Sequence, residues 1–285
     1  KSVYYKKLCR CLNMEEGHIW TTKDKITIIG LYERLKQILH KKGIDTENAD
    51  FLLALLEMYT YDYLHQMKDK QLEKTVEENK NRLLNGKGFY TITCIADEED
   101  ELLYSPAVKQ ILSDSDFILS AGDLSKEYLE YIVTLSDKPL FYVHGNHDTK
   151  MTEDPPEGCI CIDDDLIVYE GIRILGLGGS FRYNSDIYQY SEVQMKMRIR
   201  KLKGKIKKAK GVDIIVSHAP IKGYGDLNDY AHQGFECFVQ LLDELKPRFW
   251  FYGHVHPSYD PMGKRLFSHK NTLIINVCPR YKGRY

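Results

Sequence analysis

The sequence lacks any apolar run long enough to cross a membrane. Its longest wholly apolar stretch is residues 51–56, whereas a membrane-spanning helix needs about 20 such residues. Residues 1–10 are basic and interrupted by tyrosines, so they lack the apolar centre of a secretory signal peptide. We therefore expect a protein that does not bind membranes and that lies in the cytoplasm.

The chain also has almost no net charge and no zinc-finger pattern of cysteines. It carries 40 Lys and Arg against 41 Asp and Glu, a net charge of −1, which excludes a uniformly basic nucleic-acid-binding protein. Two C-x-C pairs are present, Cys9/Cys11 and Cys159/Cys161, but structural zinc sites need C-x-x-C partners. The seven cysteines are therefore expected to be reduced thiols, with a regulatory disulfide as the less favoured alternative.

What is present is a globular composition, with 43% hydrophobic and 28% charged residues over 285 positions. Residues 1–88 are typical of helices: one is capped by Asp24 and ends near Gly43, and a second opens near Asp45 or Thr46. We place a domain boundary near Gly88, which separates a helical domain of unknown role (1–88) from a second domain (89–285). The apolar face of these helices either packs on the second domain or forms a homodimer.

From residue 89 onward, short apolar strands alternate with helices. The predicted strands are residues 89–96, 117–120, 140–143, 172–177, 212–217, 249–252 and 273–277, and the predicted helices include 127–135, 193–209 and 235–246. Residues 159–169, with Asp163-Asp164-Asp165 as the turn, are predicted to form a hairpin. Alternation of this kind predicts an α/β layered fold with a mixed sheet.

Metal-ligating residue types follow five of these strands. The segments are Asp97-Glu98-Glu99, Gly122-Asp123, Gly145-Asn146-His147-Asp148, Ser217-His218 and Gly253-His254-Val255-His256. Because open α/β sheets place their sites at the carboxyl ends of strands, these groups are expected to meet in one crevice. Carboxylates, an amide oxygen and imidazoles together predict a site for one or two divalent metal ions.

The order of these motifs, over residues 89 to about 278, resembles the calcineurin-like metallophosphoesterase superfamily. The resemblance implies two mixed β-sheets in a sandwich flanked by helices. It also implies hydrolysis of a phosphate mono- or diester by a hydroxide that a dinuclear metal centre activates. The expected cofactors are two divalent ions, Mn²⁺ first, with Fe or Zn²⁺ as alternatives.

Carried over residue by residue, the resemblance assigns roles at the candidate site. Asp97, Asp123 and His256 would hold one ion, and a second set would hold the other, with Asp123 as the bridge. The second set is Asn146, His218 and His254. His147 matches the residue that protonates the leaving oxygen, and Asp148 either orients that imidazole or caps the following turn.

One position departs from the family pattern. Where the family has Asp-x-His, this chain has Asp97-x-Glu99. Glu99 either binds the first ion, which would favour Mn²⁺ or Fe over Zn²⁺, or faces solvent and leaves a one-metal enzyme. We favour ligation because residues two apart on an extended segment project to the same side.

Three residues outside these motifs have weaker signals. Arg182, in a glycine-containing loop after a strand, suits a phosphate clamp, although a surface salt bridge is as good an interpretation. His232 could reach the substrate or could simply cap or pack. His144 is expected to be a hydrogen-bonded core residue.

Residues 191–211 contain nine Lys or Arg and one acid, Glu192. They predict a helix with one apolar and one basic face, on which nucleic acid is a possible but not favoured partner. Two alternatives to phosphoesterase activity stay open: a binding module that has lost the chemistry, and a nuclease acting on RNA or DNA. Nuclease members of the superfamily usually add a capping domain after the Gly-His-x-His motif, whereas 29 residues follow His256 here.

Overall fold

The structure is a computed structural model that describes residues 22–41, 68–78 and 90–285. The chain divides into two compact units, Lys1–Tyr90 and Thr91–Tyr285. Several sequence-based predictions lie outside the described residues: the Cys9/Cys11 pair, the helix opening near Asp45 or Thr46, and the boundary at Gly88. No described helix has the length and hydropathy to span a bilayer.

Two helices of the first unit are described, α1 (Thr22–Lys41) and α2 (Asp69–Glu78). The helix predicted to be capped by Asp24 and to end near Gly43 is observed as α1, but it begins at Thr22, so Asp24 lies in its first turn and is not its N-cap. Four apolar residues of α1 at helical spacing are buried, Leu31, Leu35, Ile38 and Leu39. Two apolar residues of α2 are also buried, Leu72 and Val76. An ion pair between Arg34 Nη2 and Asp69 Oδ1, 2.9 Å long, joins the two helices.

The second unit contains thirteen described strands and four described α-helices. In chain order the strands are β1 (Thr91–Ile95), β2 (Phe117–Ser120), β3 (Leu140–Tyr142), β4 (Ile160–Cys161), β5 (Leu166–Tyr169), β6 (Ile172–Leu177), β7 (Ser180–Phe181), β8 (Gln189–Tyr190), β9 (Ile214–Ser217), β10 (Phe249–Tyr252), β11 (Leu266–His269), β12 (Thr272–Asn276) and β13 (Arg280–Arg284). The helices are α3 (Val108–Ile111), α4 (Lys126–Ser136), α5 (Glu192–Ala209) and α6 (Glu236–Leu245).

The strands form two mixed sheets. The first has the order β13-β1-β2-β3-β4, in which β1 to β4 are parallel and β13 is antiparallel to β1. The second has the order β11-β12-β10-β9-β6-β5, with four parallel central strands and an antiparallel strand at each edge. Strands β7 and β8 pair with each other. In both sheets, therefore, several parallel strands end at the same edge.

The predicted hairpin over residues 159–169 is wrong. Strand β4 pairs with β3 in the first sheet, whereas β5 pairs with β6 in the second. The segment with Asp163-Asp164-Asp165 therefore crosses from one sheet to the other. Strand-like patterning identified both strands, but it carries no information on which partner each one selects.

The two sheets pack face to face, and helices cover their outer faces. Rings from opposite sheets meet at Phe117 and Tyr169, 5.3 Å between centroids, and at Phe251 and Tyr281, 6.0 Å. On the outer faces, α3 and α4 pack on the first sheet, and α5 and α6 on the second. The fold is thus mixed α/β with two large mixed sheets flanked by helices, which confirms the expected fold class.

Helix α6 is capped by a side chain from another helix. Its own N-cap residue, Phe235, has no side-chain hydrogen bond to offer. Instead, the carboxylate of Glu192 on α5 accepts hydrogen bonds from the backbone N–H groups of Glu236 (3.1 Å) and Cys237 (2.7 Å). Ser191 and Gln194 form a capping box at the start of α5, so the starts of α5 and α6 are fixed together.

Candidate metal centre

Three side chains at strand ends form a buried cluster. Asp123 follows β2, His218 follows β9 and His254 follows β10, and one ligand atom from each lies within 4.8 Å of the others. His218 is fully buried and His254 is 6% exposed. The sandwich therefore brings together polar groups from both sheets, as the ends of parallel strands do in open α/β sheets.

Two tight backbone turns face each other at this cluster. Asp97 and His254 have left-handed φ angles of 63° and 68°, and each is the centre of a three-residue turn: Glu98 N–H donates to Ala96 O (2.7 Å), and Val255 N–H to Gly253 O (2.8 Å). The backbone N–H of His254 donates to both carboxylate oxygens of Asp97, at 2.8 and 2.9 Å. Non-glycine residues in this conformation concentrate at functional sites.

Two glycines permit the close approach of the loops that follow β2 and β3. Gly122 has a φ of 95°, which favours glycine. A Cβ atom on Gly145 would lie 2.0 Å from Asp123 Oδ1, so no other residue fits there without displacing that carboxylate. Gly145 thus allows the Asn146 loop to lie directly on Asp123.

The two buried histidines are each oriented by a backbone carbonyl. His218 donates from Nδ1 to Ala121 O (2.7 Å), and its Nε2 faces Asn146 Oδ1 (2.9 Å) and Asp123 Oδ2 (3.2 Å). His254 donates from Nε2 to Ala231 O (2.9 Å). In metal sites such a hydrogen bond fixes the ring and leaves the opposite nitrogen to the ion. Both rings match that arrangement.

The pKa values of the three cluster residues and of the neighbouring Asp97 are all shifted. Burial raises the pKa of Asp97 to about 6, and burial together with the charge of His218 lowers the pKa of His254 to about 3. Burial alone would raise the pKa of Asp123, but the charge and hydrogen bond of His218 outweigh it and lower the pKa to about 2. Burial alone would lower the pKa of His218, but Asp123 and Asp97 raise it to about 9.

These groups fit a divalent cation. Two carboxylates and two imidazoles share a buried space, where their mutual charges hold some of them away from the ionisation state that each prefers in water. A divalent ion would stabilise the carboxylates as anions and the imidazoles as neutral ligands, and oxygen and nitrogen donors suit such ions.

A second group lies beside the first and contains Glu98 rather than Glu99. Glu98, His256 and Cys278 each place one ligand atom within 4.8 Å of the others, and Glu98 Oε1 lies 2.9 Å from His256 Nδ1. Glu99 is exposed and accepts a hydrogen bond from Ser125 Oγ at the start of α4. Among the described residues, neither group includes Glu99. The extended backbone assumed for Glu99 is interrupted by the left-handed turn at Asp97, which redirects the next two side chains.

His147 and Asp148 lie next to the cluster. The His147 backbone N–H donates to Asp123 Oδ1 (2.8 Å), and its side chain is exposed at a cleft of about 470 Å³ that is also lined by Asp123, Lys126 and Lys150. Asp148 is buried, and its Oδ2 accepts from the backbone N–H groups of Gly145 (2.7 Å) and Asp123 (2.9 Å). Asp148 therefore fixes the Asp123 and Gly145 loops, and its side chain does not cap the turn that follows it. An orienting role toward the His147 ring stays a prediction.

The glycine-containing loop reaches the cluster through Tyr183 rather than Arg182. The Arg182 guanidinium donates to Gln189 O (3.2 and 3.3 Å), which closes the loop on itself. The Tyr183 hydroxyl accepts a hydrogen bond from Asn146 Nδ2 (3.0 Å). Sequence reasoning overlooked Tyr183, although its position next to Arg182 in a loop after a strand was the signal available.

The two remaining histidines differ in position. His232 lies at the edge of the cluster, with its ring 5.1 Å from that of His254, and it pairs with Asp229 (2.8 Å). His144 is a buried core residue as predicted: Nδ1 lies 3.0 Å from Asp163 Oδ2, and the ring stacks on Tyr188.

The basic helix α5 has the two faces that the sequence predicted. Ile199 and Leu202 are buried against the second sheet. Two lysines of the basic face pair with acids on neighbouring elements, Lys203 with Glu244 (3.6 Å) and Lys205 with Asp165 (2.6 Å). Part of the basic charge is thereby neutralised within the molecule.

Two mixed sheets, flanking helices and candidate metal ligands at the strand ends define this chain as a protein of the metallophosphoesterase fold. The family model for calcineurin-like phosphoesterases matches residues 90–258, and the chain belongs to that family. This match confirms the resemblance seen in the sequence.

Comparison with solved structures finds distant relatives. TT1561 of Thermus thermophilus is 14% identical with a TM-score of 0.47, over 66% of this chain and 88% of that one. Chaetomium thermophilum Vps29 is 15% identical with a TM-score of 0.31, over 66% of this chain and 70% of that one. The sulfate thiohydrolase SoxB of Thermus thermophilus, in complex with glycerol, is 13% identical with a TM-score of 0.34, over 84% of this chain and 43% of that one. No curated protein matches the sequence.

Proposed function

We propose that this protein is a metal-dependent phosphoesterase that hydrolyses a phosphate mono- or diester. The observation that supports this proposal most strongly is the buried cluster of Asp123, His218 and His254, whose ligand atoms lie within 4.8 Å of one another. The cluster is on the sequence segments that carry the family match, residues 90–258.

Two divalent ions fit the donor groups at the strand ends. We assign one ion to His218, His254 and the Asn146 side chain, and the other to the neighbourhood of Asp97 and His256, with Asp123 shared between them. When bound, such ions would supply an activated water nucleophile and charge stabilisation for the phosphoryl oxygens. The rings of His218 and His254 are already held by carbonyl groups in an orientation that suits ligation.

Side chains of the protein supply the proton and the positioning. His147 protonates the leaving oxygen, because its imidazole is exposed at the cleft while its backbone is tied to Asp123. Asp148 holds the loops of Asp123 and Gly145 in register. Tyr183 fixes the Asn146 amide, so that the amide oxygen keeps facing His218.

The leaving group is expected to occupy the cleft beside His147. This cleft of about 470 Å³ has two lysines in its walls, Lys126 and Lys150, and four acids, Asp123, Glu127, Asp148 and Asp154. A polar or charged leaving group fits such a lining better than an apolar one, because an apolar group would displace solvent from these charged side chains.

The test is hydrolysis by the purified full chain with Mn²⁺. Nitrophenyl mono- and diesters, cyclic nucleotides and short RNA serve as substrates, and EDTA should abolish the activity. Asp123→Asn should lose most of the turnover and at least about 10–100-fold in metal affinity, the range seen when only an outer partner of a ligand is changed. Asp243→Asn, an exposed carboxylate that pairs with His269 and Lys270, is the matched control and should behave as wild type.

Two outcomes would contradict the proposal. Wild-type turnover with two bound ions in Asp123→Asn would exclude the shared carboxylate. Metal binding by the wild type without hydrolysis of any ester would instead favour a binding module that has lost the chemistry.

A further inference from the structure

The cluster of Glu98, His256 and Cys278 places three different kinds of metal-ligating group close together. A carboxylate, an imidazole and a thiol lie with one ligand atom each within 4.8 Å of the others. Two atoms bound to one zinc-sized ion lie at most about 4.5 Å apart, since such bonds are about 2.0–2.3 Å long. A small movement of side chains therefore suffices for these three groups to share an ion.

Cys278 is held in place by the segment that carries His256. Its backbone N–H donates to Asn276 Oδ1 (3.0 Å), and Asn276 Nδ2 donates to Val255 O (2.7 Å). The thiol is buried beside Asp97, with which it forms a hydrogen bond. Burial, together with the charges of Asp97 and Glu98, raises the pKa of the Cys278 thiol.

We propose that Glu98, His256 and Cys278 hold the first metal ion of this protein through a carboxylate oxygen, an imidazole nitrogen and a thiolate sulfur. The inference rests on the proposed function, because it assigns the ligands of one of its two ions. It replaces Glu99 by Glu98 as the glutamate ligand of this ion, and it adds the sulfur of Cys278 as a further ligand. As the sulfur–metal bond forms, the S–H bond breaks and its proton goes to solvent.

A sulfur ligand changes the expected metal. Thiolate and imidazole favour Zn²⁺, Fe²⁺ or Co²⁺, whereas sites of oxygen ligands alone favour Mn²⁺ or Mg²⁺. The site therefore prefers a borderline ion at this position, in contrast to the Mn²⁺ that the sequence led us to expect.

Cobalt reports on sulfur ligation directly. The full chain carrying Cys9→Ser and Cys11→Ser is titrated with Co²⁺, and its near-ultraviolet absorption is recorded for the thiolate-to-cobalt charge-transfer band. The band should appear, vanish in Cys278→Ser, and persist in Cys94→Ser and Cys161→Ser, which are a buried and an exposed thiol outside the cluster. Cys278→Ser should also weaken binding of that ion at least about 10-fold.

A second pair of variants does not depend on the cysteine. Glu98→Gln should weaken Co²⁺ binding at least about 10-fold, whereas Glu99→Gln should leave it unchanged, because Glu99 contacts Ser125. Circular dichroism checks that each variant folds. Absence of the band in the parent chain, its persistence in Cys278→Ser, or equal Co²⁺ affinity in the two glutamine variants would each overturn the assignment.

The two proposals fail separately. Ester hydrolysis without a charge-transfer band would contradict the sulfur ligand and would still support the phosphoesterase activity. A band that depends on Cys278, without hydrolysis of any ester, would support the metal site and contradict the proposed activity.

Discussion

The backbone of His147 is hydrogen-bonded to the buried cluster of Asp123, His218 and His254, and its side chain is exposed. Its N–H donates to Asp123 Oδ1 at 2.8 Å, while the imidazole is exposed at the cleft. This arrangement lets the ring reach a leaving oxygen without being a metal ligand. Loss of the ring should therefore affect proton transfer and spare metal binding.

His147→Ala should retain bound metal and lose about 10²–10⁴-fold in rate with an ester of a poor leaving group, the usual range for general acid catalysis. The loss should be smaller with a nitrophenyl ester, because nitrophenolate leaves with little need for a proton. Rates for an alkyl and a nitrophenyl ester, with metal content measured on the same samples, check this. An equal loss on both esters would assign His147 another role.

At single positions, the sequence predicted residue types better than contacts. Asp123, His218 and His254 were selected because they follow strands, and the structure brings them together. Glu99 was selected by assuming an extended backbone, but after the left-handed Asp97 it is Glu98 that contacts His256, while Glu99 contacts Ser125. Side-chain direction after a strand depends on one φ angle, which the sequence did not reveal.

Helix α5 stabilises the molecule at both of its faces and at its first turn. The capping carboxylate of Glu192 accepts from two N–H groups of α6. The sequence identified Glu192 only as the single acid of a basic segment. Its function as a cap depends on a partner more than forty positions away, which no local pattern indicates.

Glu192→Gln should lower the free energy of unfolding by about 0.5–2 kcal/mol, the range for loss of a helix cap. The reason is that a neutral amide accepts more weakly than a carboxylate from the two N–H groups at the start of α6. Urea unfolding followed by circular dichroism measures the change. Glu244→Gln, at the exposed end of α6, is the control and should stay within about 0.5 kcal/mol of wild type.

The crossing segment between β4 and β5 is fixed by one buried ion pair. Asp163 Oδ1 accepts from Arg198 Nη2 (2.7 Å) and from the Gly178 N–H (2.6 Å), and both charged side chains are 9% exposed. Burial alone would raise the pKa of Asp163, but the hydrogen bond of His144 and the charge of Arg198 outweigh it and lower that pKa.

Asp163→Asn should cost about 1–3 kcal/mol of stability at neutral pH, because the buried Arg198 guanidinium would lose its buried anion and keep only the half-exposed Asp164. A carboxyl whose pKa is lower in the folded state stabilises above its ordinary pKa of 3.8 and loses that effect as pH falls. The gap between wild type and variant should therefore shrink as pH drops below about 4. Urea titrations at several pH values measure this difference in the free energy of unfolding between wild type and variant.

Asp164→Asn is the matched control for that experiment. Asp164 also pairs with Arg198 (2.9 Å), but its side chain is 49% exposed, so its ion pair is worth about 0–1 kcal/mol. Its left-handed φ of 54° is one that asparagine tolerates. A cost for Asp164→Asn equal to that of Asp163→Asn would show that the buried pair has no special role.

At the level of elements, strand positions were predictable and strand partners were not. Strands β2, β6 and β10 have the predicted bounds, because continuous apolar runs are typical of strands buried on both faces. The 159–169 hairpin was wrong, since two short strands close in sequence belong to different sheets. Pairing is decided by packing of the whole sandwich, which local patterns do not encode.

For the whole molecule, a metal ion that binds only the folded state should raise stability. At a free concentration of 100 times the Kd, the gain is about 2.7 kcal/mol. Addition of Co²⁺ or Mn²⁺ to the EDTA-treated full chain should raise its Tm, and renewed EDTA should reverse the change. Differential scanning calorimetry measures this, with Ca²⁺ as the comparison ion. An unchanged Tm in Co²⁺ and Mn²⁺ would contradict metal binding by the folded chain.

The pairing of β13 with β1 has a consequence for how the protein is made. Strand β1 leaves the ribosome before the other twelve described strands. The neighbour that covers one of its edges, from Thr91↔Arg284 to Ile95↔Arg280, is synthesised after all the others. During that interval the edge of β1 offers unpaired N–H and C=O groups to any other strand. The nascent chain therefore passes through a period of exposure to misassembly that ends only when β13 docks. Slower translation of the segment before β13 would lengthen that period and increase aggregation.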